Sequence, residues 1–343
     1  MFFKAQLLNH FKHLNPAIER IGAEAYLNAR NFKLEIRFQG RVYSFYPQFM
    51  YFDGQGGQHY TPQFRPEVSR FIGWCPYFNK RWDLAVEKLK FKEYAVKNRL
   101  PTPEYWVDPE VVVEHVLVKC NLSSFGNGMR GPYRSSEETK LKAREGEYYE
   151  RFVWGKVAKI WFWEGSPVCC ELSDFGSIPG DGKRSVRELV LQQFRKRDQI
   201  VMVEAFSDFL VYQGRSLEWV PALDEVQPLD FKYGSKLLFP AEIKDIDLRR
   251  DPIPGTDSQL KHIGSTLLRG IPEEIRANTV FTVDAILDKE QKLWILEMNC
   301  NPFLHPYVYP PMIESWAKDP NSPTNQIYGI PHGLPVLGAT GVH

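Results

Sequence analysis

Asp284, Glu297 and Asn299 have the residue types and the spacing of a magnesium site. Two carboxylates and an amide, with no histidine or cysteine in the set, form a hard oxygen site that favours Mg²⁺ bridging to phosphate oxygens over zinc. The alternative is a solvated strand face that bears two acidic residues by chance. The neighbouring residues are mostly apolar, where an unpaired charge is costly, and this favours the metal interpretation.

The segments that carry these three residues have the pattern of a β-hairpin around a turn at residues 288–291. Side chains alternate between the two faces of a strand, so Asp284, Ile295, Glu297 and Asn299 are expected on one face and their immediate neighbours on the other. In this register Asp284 lies opposite Ile295 and is a diagonal neighbour of Glu297, close enough for one cation to contact both carboxylates.

Two lysines and a loop are candidate phosphate contacts. Lys88 lies on a predicted helix, and Lys119 ends a short β-branched strand. The loop that follows contains Ser123, Ser124 and Gly126, whose hydroxyl and backbone N–H groups suit a cover over phosphate. The alternative is a lysine that extends its ammonium group to water, followed by an ordinary polar turn.

The elements that must position these residues follow from hydrophobic periodicity and turn residues. Strands are predicted at residues 33–38, 41–46, 116–119, 148–153, 157–163, 167–172, 280–287 and 292–298. One helix is predicted after a cap at Asn79, with Val96 on its apolar face and Lys92 at its partly solvated edge. A second helix is predicted over residues 186–197, whereas residues 206–278 are Pro-rich and irregular.

In this order the motifs resemble those of the ATP-grasp superfamily over about residues 80–310. Lys88 and the turn at residues 100–103 resemble the opening lysine helix, and Lys119 with its loop resembles the second phosphate lysine and the glycine-rich flap. The residues that resemble the adenine hinge are Glu150, Arg151, Phe152 and Val153, and those that resemble the metal signature are Asp284, Glu297 and Asn299.

The resemblance implies an α+β fold in which two ATP-grasp subdomains grip ATP between them. It implies a short β-containing N-terminal domain at residues 1–78, a small ATP-grasp subdomain at residues 79–153, and a C-terminal subdomain with the metal site at residues 154–343. The expected cofactors are ATP and two Mg²⁺ ions.

The activity that the resemblance implies is ADP-forming ligation of a carboxylate to an amine through an acyl phosphate. The expected substrate is an amino acid, a peptide or a small metabolite. The residues expected to act in catalysis are Lys119, Ser123, Ser124, Gly126 and Arg276, and those expected to bind ATP are Lys88, Lys119, Glu150, Arg151, Phe152 and Val153.

Two departures from the family pattern leave alternatives open. The hinge usually carries a further acidic residue for the ribose, whereas residues 156–158 are Lys-Val-Ala, so residues 203–206 are a second candidate hinge. An arginine often precedes the first metal aspartate of related ligases. Arg269 or Arg276 could take its place here, and a position on a helix surface is the alternative for each.

Composition limits the classes of protein that remain. Forty-three Lys and Arg against forty-two Asp and Glu give a formal net charge of +1, which favours neither nucleic acid nor a membrane as a partner. No apolar run reaches the roughly 18 residues of a membrane span, and no signal-peptide core develops, so a cytoplasmic protein is expected. The five cysteines form no C-x-x-C pair and indicate neither disulfides nor a metal cluster.

The main alternative to an enzyme is a nucleotide-binding sensor or interaction protein on the same fold, without turnover.

Overall fold

The computed structural model describes residues 2–53, 58–123, 128–142, 145–196, 201–235, 237 and 243–319. Within these ranges no helix is both long enough and apolar enough to cross a lipid bilayer. Helices are interspersed with sheets built largely from antiparallel strand pairs, so the predicted α+β class is confirmed.

The α-helices of the described ranges include two long ones and several of three turns or fewer. They are α1 (Phe2–Arg20), α2 (Lys88–Lys97), α3 (Val186–Arg195), α4 (Ser207–Tyr212), α5 (Asp257–Arg269), α6 (Glu273–Arg276) and α7 (Tyr309–Lys318). Helix α1 is absent from the sequence predictions, although Leu14, Ala17 and Ile18 have helical spacing and are buried.

The strands of the described ranges form four sheets. In chain order they are β1 (Glu24–Leu27), β2 (Leu34–Phe38), β3 (Arg41–Phe52), β4 (Gln58–Thr61), β5 (Val68–Cys75), β6 (Tyr105–Trp106), β7 (Glu114–Cys120), β8 (Arg130–Ser135), β9 (Glu147–Arg151), β10 (Lys156–Trp163), β11 (Ser166–Ser173), β12 (Gly176–Pro179), β13 (Val226–Asp230), β14 (Lys244–Asp247), β15 (Val280–Leu287) and β16 (Leu293–Cys300). The sheet orders are β1-β2-β3-β4 with β5 also on β3, β6-β9-β7-β8, β14-β11-β10-β15-β16, and β12-β13.

Each predicted strand is present, with ends that differ by at most two residues except that β3 continues to Phe52. The predicted helix start at Asn79 is wrong, because α2 begins at Lys88 and the Asn79 side-chain oxygen accepts a hydrogen bond from Asn301 instead. Val96 was expected on the buried face of this helix and is 58% exposed.

Residues 206–278 are more regular than predicted. They contain α4, β13, β14 and the 13-residue helix α5. Leu260, Ile263 and Leu267 of α5 are buried and lie three and four positions apart, which is the helical pattern that could have predicted it.

The chain divides into two compact units. The first comprises Met1–Arg81, Pro272–Val280 and Asn301–His343, and the second comprises Trp82–Ile271 and Phe281–Cys300. A further division of the second unit near residue 153 stays a prediction.

The first unit has a packed core around α1. Helix α1 lies against β5 and α7. His10 Nδ1 lies 2.8 Å from the Tyr309 hydroxyl oxygen, which accepts a hydrogen bond from the Trp74 backbone N–H at 3.0 Å. Burial lowers the pKa of His10 to about 3, so this imidazole is neutral in the folded protein. Of the predicted site residues in the described ranges, Arg276 alone belongs to this unit.

The second unit contains the other three sheets and brings the backbone after β9 close to β15. A Cβ atom at Gly155 would lie 2.3 Å from the Leu287 carbonyl oxygen and 2.6 Å from Ile286 Cγ2. Only glycine permits this approach, and it joins the predicted adenine hinge to the strand that carries Asp284.

Candidate active site

The carboxylates predicted to bind metal lie directly opposite each other in the β15–β16 hairpin. Asp284 pairs with Glu297 and Ala285 pairs with Ile295, so Leu296 has no partner across the hairpin and forms a β-bulge. The prediction that Asp284 lies opposite Ile295 and diagonal to Glu297 is therefore wrong. The actual register brings the two carboxylates closer together than the predicted one.

The bulge also changes which residues share a face. Ile295 pairs with Ala285 and so points away from the face of Asp284, contrary to the prediction, whereas Leu296 packs in the same hydrophobic cluster as Ile286. The physical reason is that one extra residue resets the alternation of side chains along a strand. The turn is also one residue longer than predicted, because β16 begins at Leu293.

Two lysines and an asparagine contact this pair of carboxylates. Lys159 Nζ lies 2.8 Å from Asp284 Oδ1, and Lys88 Nζ lies 3.3 Å from Glu297 Oε2. The Asn299 side-chain amide donates a hydrogen bond to Asp284 Oδ2 at 3.2 Å. The three predicted metal residues are thus in one cluster, together with one of the predicted phosphate lysines.

The two carboxylates have opposite pKa shifts. Burial favours the protonated form of Asp284, but the ion pair with Lys159 and the hydrogen bonds it accepts outweigh this and lower its pKa. Burial and the neighbouring Asp284 charge raise the pKa of Glu297 by more than Lys88 and Lys119 lower it. Of the two carboxylates, Glu297 is therefore the one whose negative charge this environment makes less favourable.

Lys159 is a candidate functional residue that the sequence reasoning missed. It lies on β10, which neighbours β15 in the sheet, and its side chain is 13% exposed. Its neighbours along the strand are Val157, Ala158 and Ile160, all buried. A lysine inside an otherwise apolar strand is costly without a counter-charge, and that pattern is the signal that could have identified it.

Glu150 is buried between two lysines. In the β7–β9 pair Lys119 lies opposite Tyr148, so Glu150 is its diagonal neighbour, and Lys119 Nζ lies 2.5 Å from Glu150 Oε1. Lys92 Nζ lies 2.5 Å from Glu150 Oε2. The side chains of Lys92, Glu150 and Lys119 are 0%, 1% and 11% exposed. The prediction of a partly solvated Lys92 is wrong, because a buried carboxylate compensates its charge.

The turn after α2 connects this group to the β15–β16 hairpin. Lys92 Nζ donates to Thr102 Oγ1 at 2.7 Å, and the Thr102 hydroxyl donates to the Ile295 carbonyl oxygen at 2.9 Å. The Ile295 backbone N–H donates to the Pro101 carbonyl oxygen at 2.8 Å. These bonds fix the turn at residues 100–103 against β16, the strand that carries Glu297.

Lys88 lies beside the start of the predicted phosphate loop. Its ammonium group donates to the Ser123 carbonyl oxygen and lies 3.3 Å from Ser123 Oγ. The Ser123 hydroxyl in turn donates to the Cys120 carbonyl oxygen at 3.1 Å. Ser124 and Gly126, the other predicted residues of this loop, lie outside the described residues.

The predicted adenine hinge runs from a charged surface into an aromatic core. Arg151 Nε lies 2.8 Å from Glu104 Oε2 in a solvent-exposed ion pair. Phe152 is 7% exposed, and Val153 packs against the same hydrophobic cluster. The aromatic neighbours of Phe152 include Trp154, Phe175, Phe209, Tyr212 and Phe231.

The second candidate hinge and the two candidate arginines lie in different parts of the structure. Glu204 of the second candidate hinge lies on a turn of 3-10 helix, is 68% exposed and pairs with Arg187 at 2.8 Å. Arg269 ends α5 and donates to Thr266 Oγ1 at 3.0 Å, whereas Arg276 ends α6 in the first unit. The structure therefore does not bring Glu204 into the lysine–carboxylate group of the second unit.

Comparison with known proteins gives structural likenesses only. No protein-family model matches the chain, and no curated protein matches it either. Similar solved structures include a bifunctional glutathione synthetase from Pasteurella multocida, at 16% identity and a TM-score of 0.38, with 85% of this chain and 40% of that chain covered. A D-alanine–D-alanine ligase from Bacillus anthracis is similar at 10% identity and a TM-score of 0.34, with 68% and 67% covered.

A third similar structure is titled ATP-grasp ligase PsnB complexed with minimal precursor. It has 10% identity and a TM-score of 0.32, with 67% of this chain and 59% of that chain covered. The chain thus spans about two fifths of the length of the first structure and about three fifths of this one. The last title names the superfamily that the sequence resembles. Because all these TM-scores are below 0.5, function has to be inferred from the side chains themselves.

Proposed function

We propose that the protein is an ATP-dependent ligase of the ATP-grasp type that joins a carboxylate to an amine through an acyl phosphate. The observation that carries this proposal is the facing pair Asp284 and Glu297, with Lys88 and Lys159 in contact with it. Facing carboxylates suit a divalent cation, and adjacent lysines suit phosphate oxygens. Together they suit a nucleoside triphosphate bound with Mg²⁺.

The residues of the hairpin fit a magnesium ion. Asp284, Glu297 and Asn299 form an oxygen-bearing set, and the raised pKa of Glu297 reflects its burial and the nearby Asp284 charge. These three residues would hold the ion. When bound, Mg²⁺ would neutralise charge on the β- and γ-phosphates.

The role of the lysines is to position and neutralise the phosphates, because phosphoryl transfer demands little covalent chemistry from the protein. Lys88, Lys119 and Lys159 would provide this charge. The substrate carboxylate takes the γ-phosphoryl group and ADP is released. The unprotonated amine then attacks the acyl carbon, inorganic phosphate departs and the amine loses a proton, which gives the amide.

The other predicted residues keep supporting roles in this proposal. Phe152 and Val153 would lie at the adenine with Arg151 at its edge, and Glu150 would act through the two lysines that it pairs. The residues proposed to cover the reacting groups or contact the substrate are Ser123, Ser124 and Gly126. The substrate is a small molecule or peptide that supplies the carboxylate and the amine.

Trapping the activated carboxylate tests this proposal without knowledge of the amine. The purified protein is incubated with Mg²⁺, ATP, hydroxylamine and a metabolite extract, and ADP and acyl hydroxamates are measured by mass spectrometry. ADP formation that depends on the extract, with a hydroxamate product, is expected. Release of AMP would indicate acyl-adenylate chemistry instead, and ATP binding without any turnover would favour the sensor alternative.

A further inference from the structure

Lys92 is a buried cation without a role in the chemistry proposed above. Its side chain is 0% exposed and contacts Glu150 Oε2 and Thr102 Oγ1. Glu150 also pairs with Lys119 through its other oxygen atom. One buried carboxylate therefore carries two ammonium groups, and this three-residue group holds one more positive charge than negative charge.

That excess matters when Lys119 contacts a phosphate. If Lys119 were the sole partner of Glu150, its movement to a phosphate oxygen would leave a carboxylate unpaired in the interior, which is costly. With Lys92 on the second oxygen, Glu150 stays paired after Lys119 has moved. The different exposures agree with this division, because Lys119 is 11% exposed and Lys92 is fully enclosed.

We propose that Lys92 is a positioning residue for ATP binding, which keeps Glu150 paired so that Lys119 can exchange the Glu150 carboxylate for a phosphate oxygen. Lys92 itself does not touch the nucleotide. The inference rests on the proposed function and adds a mechanism by which a buried lysine lowers the cost of phosphate binding. The bond from Lys92 to Thr102 holds its ammonium group in place during the exchange.

The pKa shifts of Lys92 and Glu150 are consistent with both side chains being charged at neutral pH. Burial lowers the pKa of Lys92 to about 8, although the Glu150 charge opposes this shift. Burial favours protonation of Glu150, but Lys119 and Lys92 together outweigh it and lower the pKa of that carboxyl.

The experiment measures the dissociation constant of a non-hydrolysable ATP analogue with Mg²⁺ by calorimetry, and the melting temperature of each protein. The variants are Lys92→Met, the double variant Lys92→Met with Glu150→Gln, and Lys90→Met. Lys90 lies on the same helix and forms exposed ion pairs with Asp83 and Glu87, so it is the matched control.

Lys92→Met is expected to fold, because Lys119 still neutralises Glu150, and to weaken binding at least about ten-fold, since the nucleotide must now leave Glu150 unpaired. The double variant removes that carboxylate charge and is expected to return within about three-fold of wild type. Lys90→Met should stay within about two-fold. The rescue separates a positioning role from a merely structural one.

Three results would overturn the inference while the proposed function stands. They are wild-type affinity in Lys92→Met, a double variant no better than Lys92→Met, and a Lys92→Met protein that does not fold. The second result would mean that Lys92 contacts the phosphate directly. If the wild-type protein itself does not bind the ATP analogue, the proposed function fails, and this inference fails with it.

Discussion

The two buried charge groups of the second unit each bring two like charges together, and the sign of these charges differs between them. In the β15–β16 hairpin, Asp284 and Glu297 face each other, and the pKa of Glu297 is raised by burial and by Asp284. Between β7, β9 and α2, Lys92 and Lys119 share Glu150, and the pKa of Lys92 is lowered by burial. The first group holds two carboxylates with Lys88 and Lys159 against them, and the second holds two ammonium groups on one carboxylate.

This difference distinguishes both groups from ordinary structural ion pairs. An isolated ion pair has one charge of each sign, whereas each of these groups also holds two like charges that repel each other in a poorly solvated place. In the proposed function, Mg²⁺ would lie with the two carboxylates, and the phosphates of ATP would take the excess positive charge of the lysines. The contrast can be tested by removing charge from one group at a time.

The largest expected effect is on folding, at the lysine-rich group. Glu150→Gln leaves Lys92 and Lys119 without a counter-charge and should lower the free energy of unfolding by about 3–5 kcal/mol, as measured by urea denaturation. The matched control is Glu145→Gln, because Glu145 is 60% exposed in a surface pair with Lys142 and its loss should cost less than about 0.5 kcal/mol. Equal small losses of unfolding free energy in both variants would show that Lys92 and Lys119 do not need the Glu150 charge to stay buried in the folded protein.

Substitutions in the carboxylate-rich group should lower ATP turnover and leave the stability of the folded protein unchanged. Glu297→Gln keeps the size and shape of the side chain and removes a charge that burial and Asp284 make unfavourable, so the melting temperature without nucleotide should be retained. ATP turnover should fall at least about 100-fold, or about 2.7 kcal/mol of transition-state stabilisation. Asp284→Asn should lower turnover similarly.

The control for this activity loss is Glu290→Gln, in the turn of the same hairpin, where the side chain is 64% exposed. Its turnover should stay within a few-fold of wild type. Full activity of Glu297→Gln together with Asp284→Asn would remove the metal site from the proposal.

Lys119 provides a smaller and more selective test. Lys119→Ala leaves the Lys92–Glu150 pair intact, so the protein should fold, while ATP binding weakens by about 1.5–3 kcal/mol, or one to two decades. The measurement is ATP titration with Mg²⁺, with Lys90→Ala as the control on the exposed surface of α2. Undiminished affinity would mean that the Lys119 ammonium group stabilises the sheet and does not contact phosphate.

The smallest expected effect is a pH dependence. Lys92 has a folded-state pKa of about 8, below its ordinary value, so its charge is present at pH 7 and is lost as the pH rises through 8. Because deprotonated Lys92 no longer pairs Glu150, ATP affinity should fall about three-fold between pH 7 and 8.5. Lys92→Met should lack this fall, and a pH-independent wild type would contradict the assignment.

The sequence contained enough information to predict the strands and the proximity of the three residues proposed to bind metal. Alternation of apolar residues predicted β15 and β16, and Asp284, Glu297 and Asn299 do lie together. It did not predict the β-bulge at Leu296, because a single extra residue has no signature in an alternating pattern. The register was therefore wrong although the strands were right.

The buried lysines show a different limit. Lys92 and Lys159 are enclosed only because Glu150 and Asp284 lie beside them, and those partners are 58 and 125 positions away in the chain. Local hydrophobicity treats any lysine as solvent-facing, so the prediction for Lys92 was wrong and Lys159 went unnoticed. Pairing between distant residues is information that no short window contains.

The bulge at Leu296 has a consequence for how such sites are recognised in other sequences. Glu297 lies thirteen positions after Asp284 here, and Leu296, one of the twelve residues between them, has no partner across the hairpin. A relative with a regular hairpin would place the same two carboxylates face to face at an interval of twelve positions, with eleven residues between them. A search pattern or alignment that fixes the interval would then match the acidic residue of one protein to an apolar residue of the other. A gap allowed at Leu296 would restore the match.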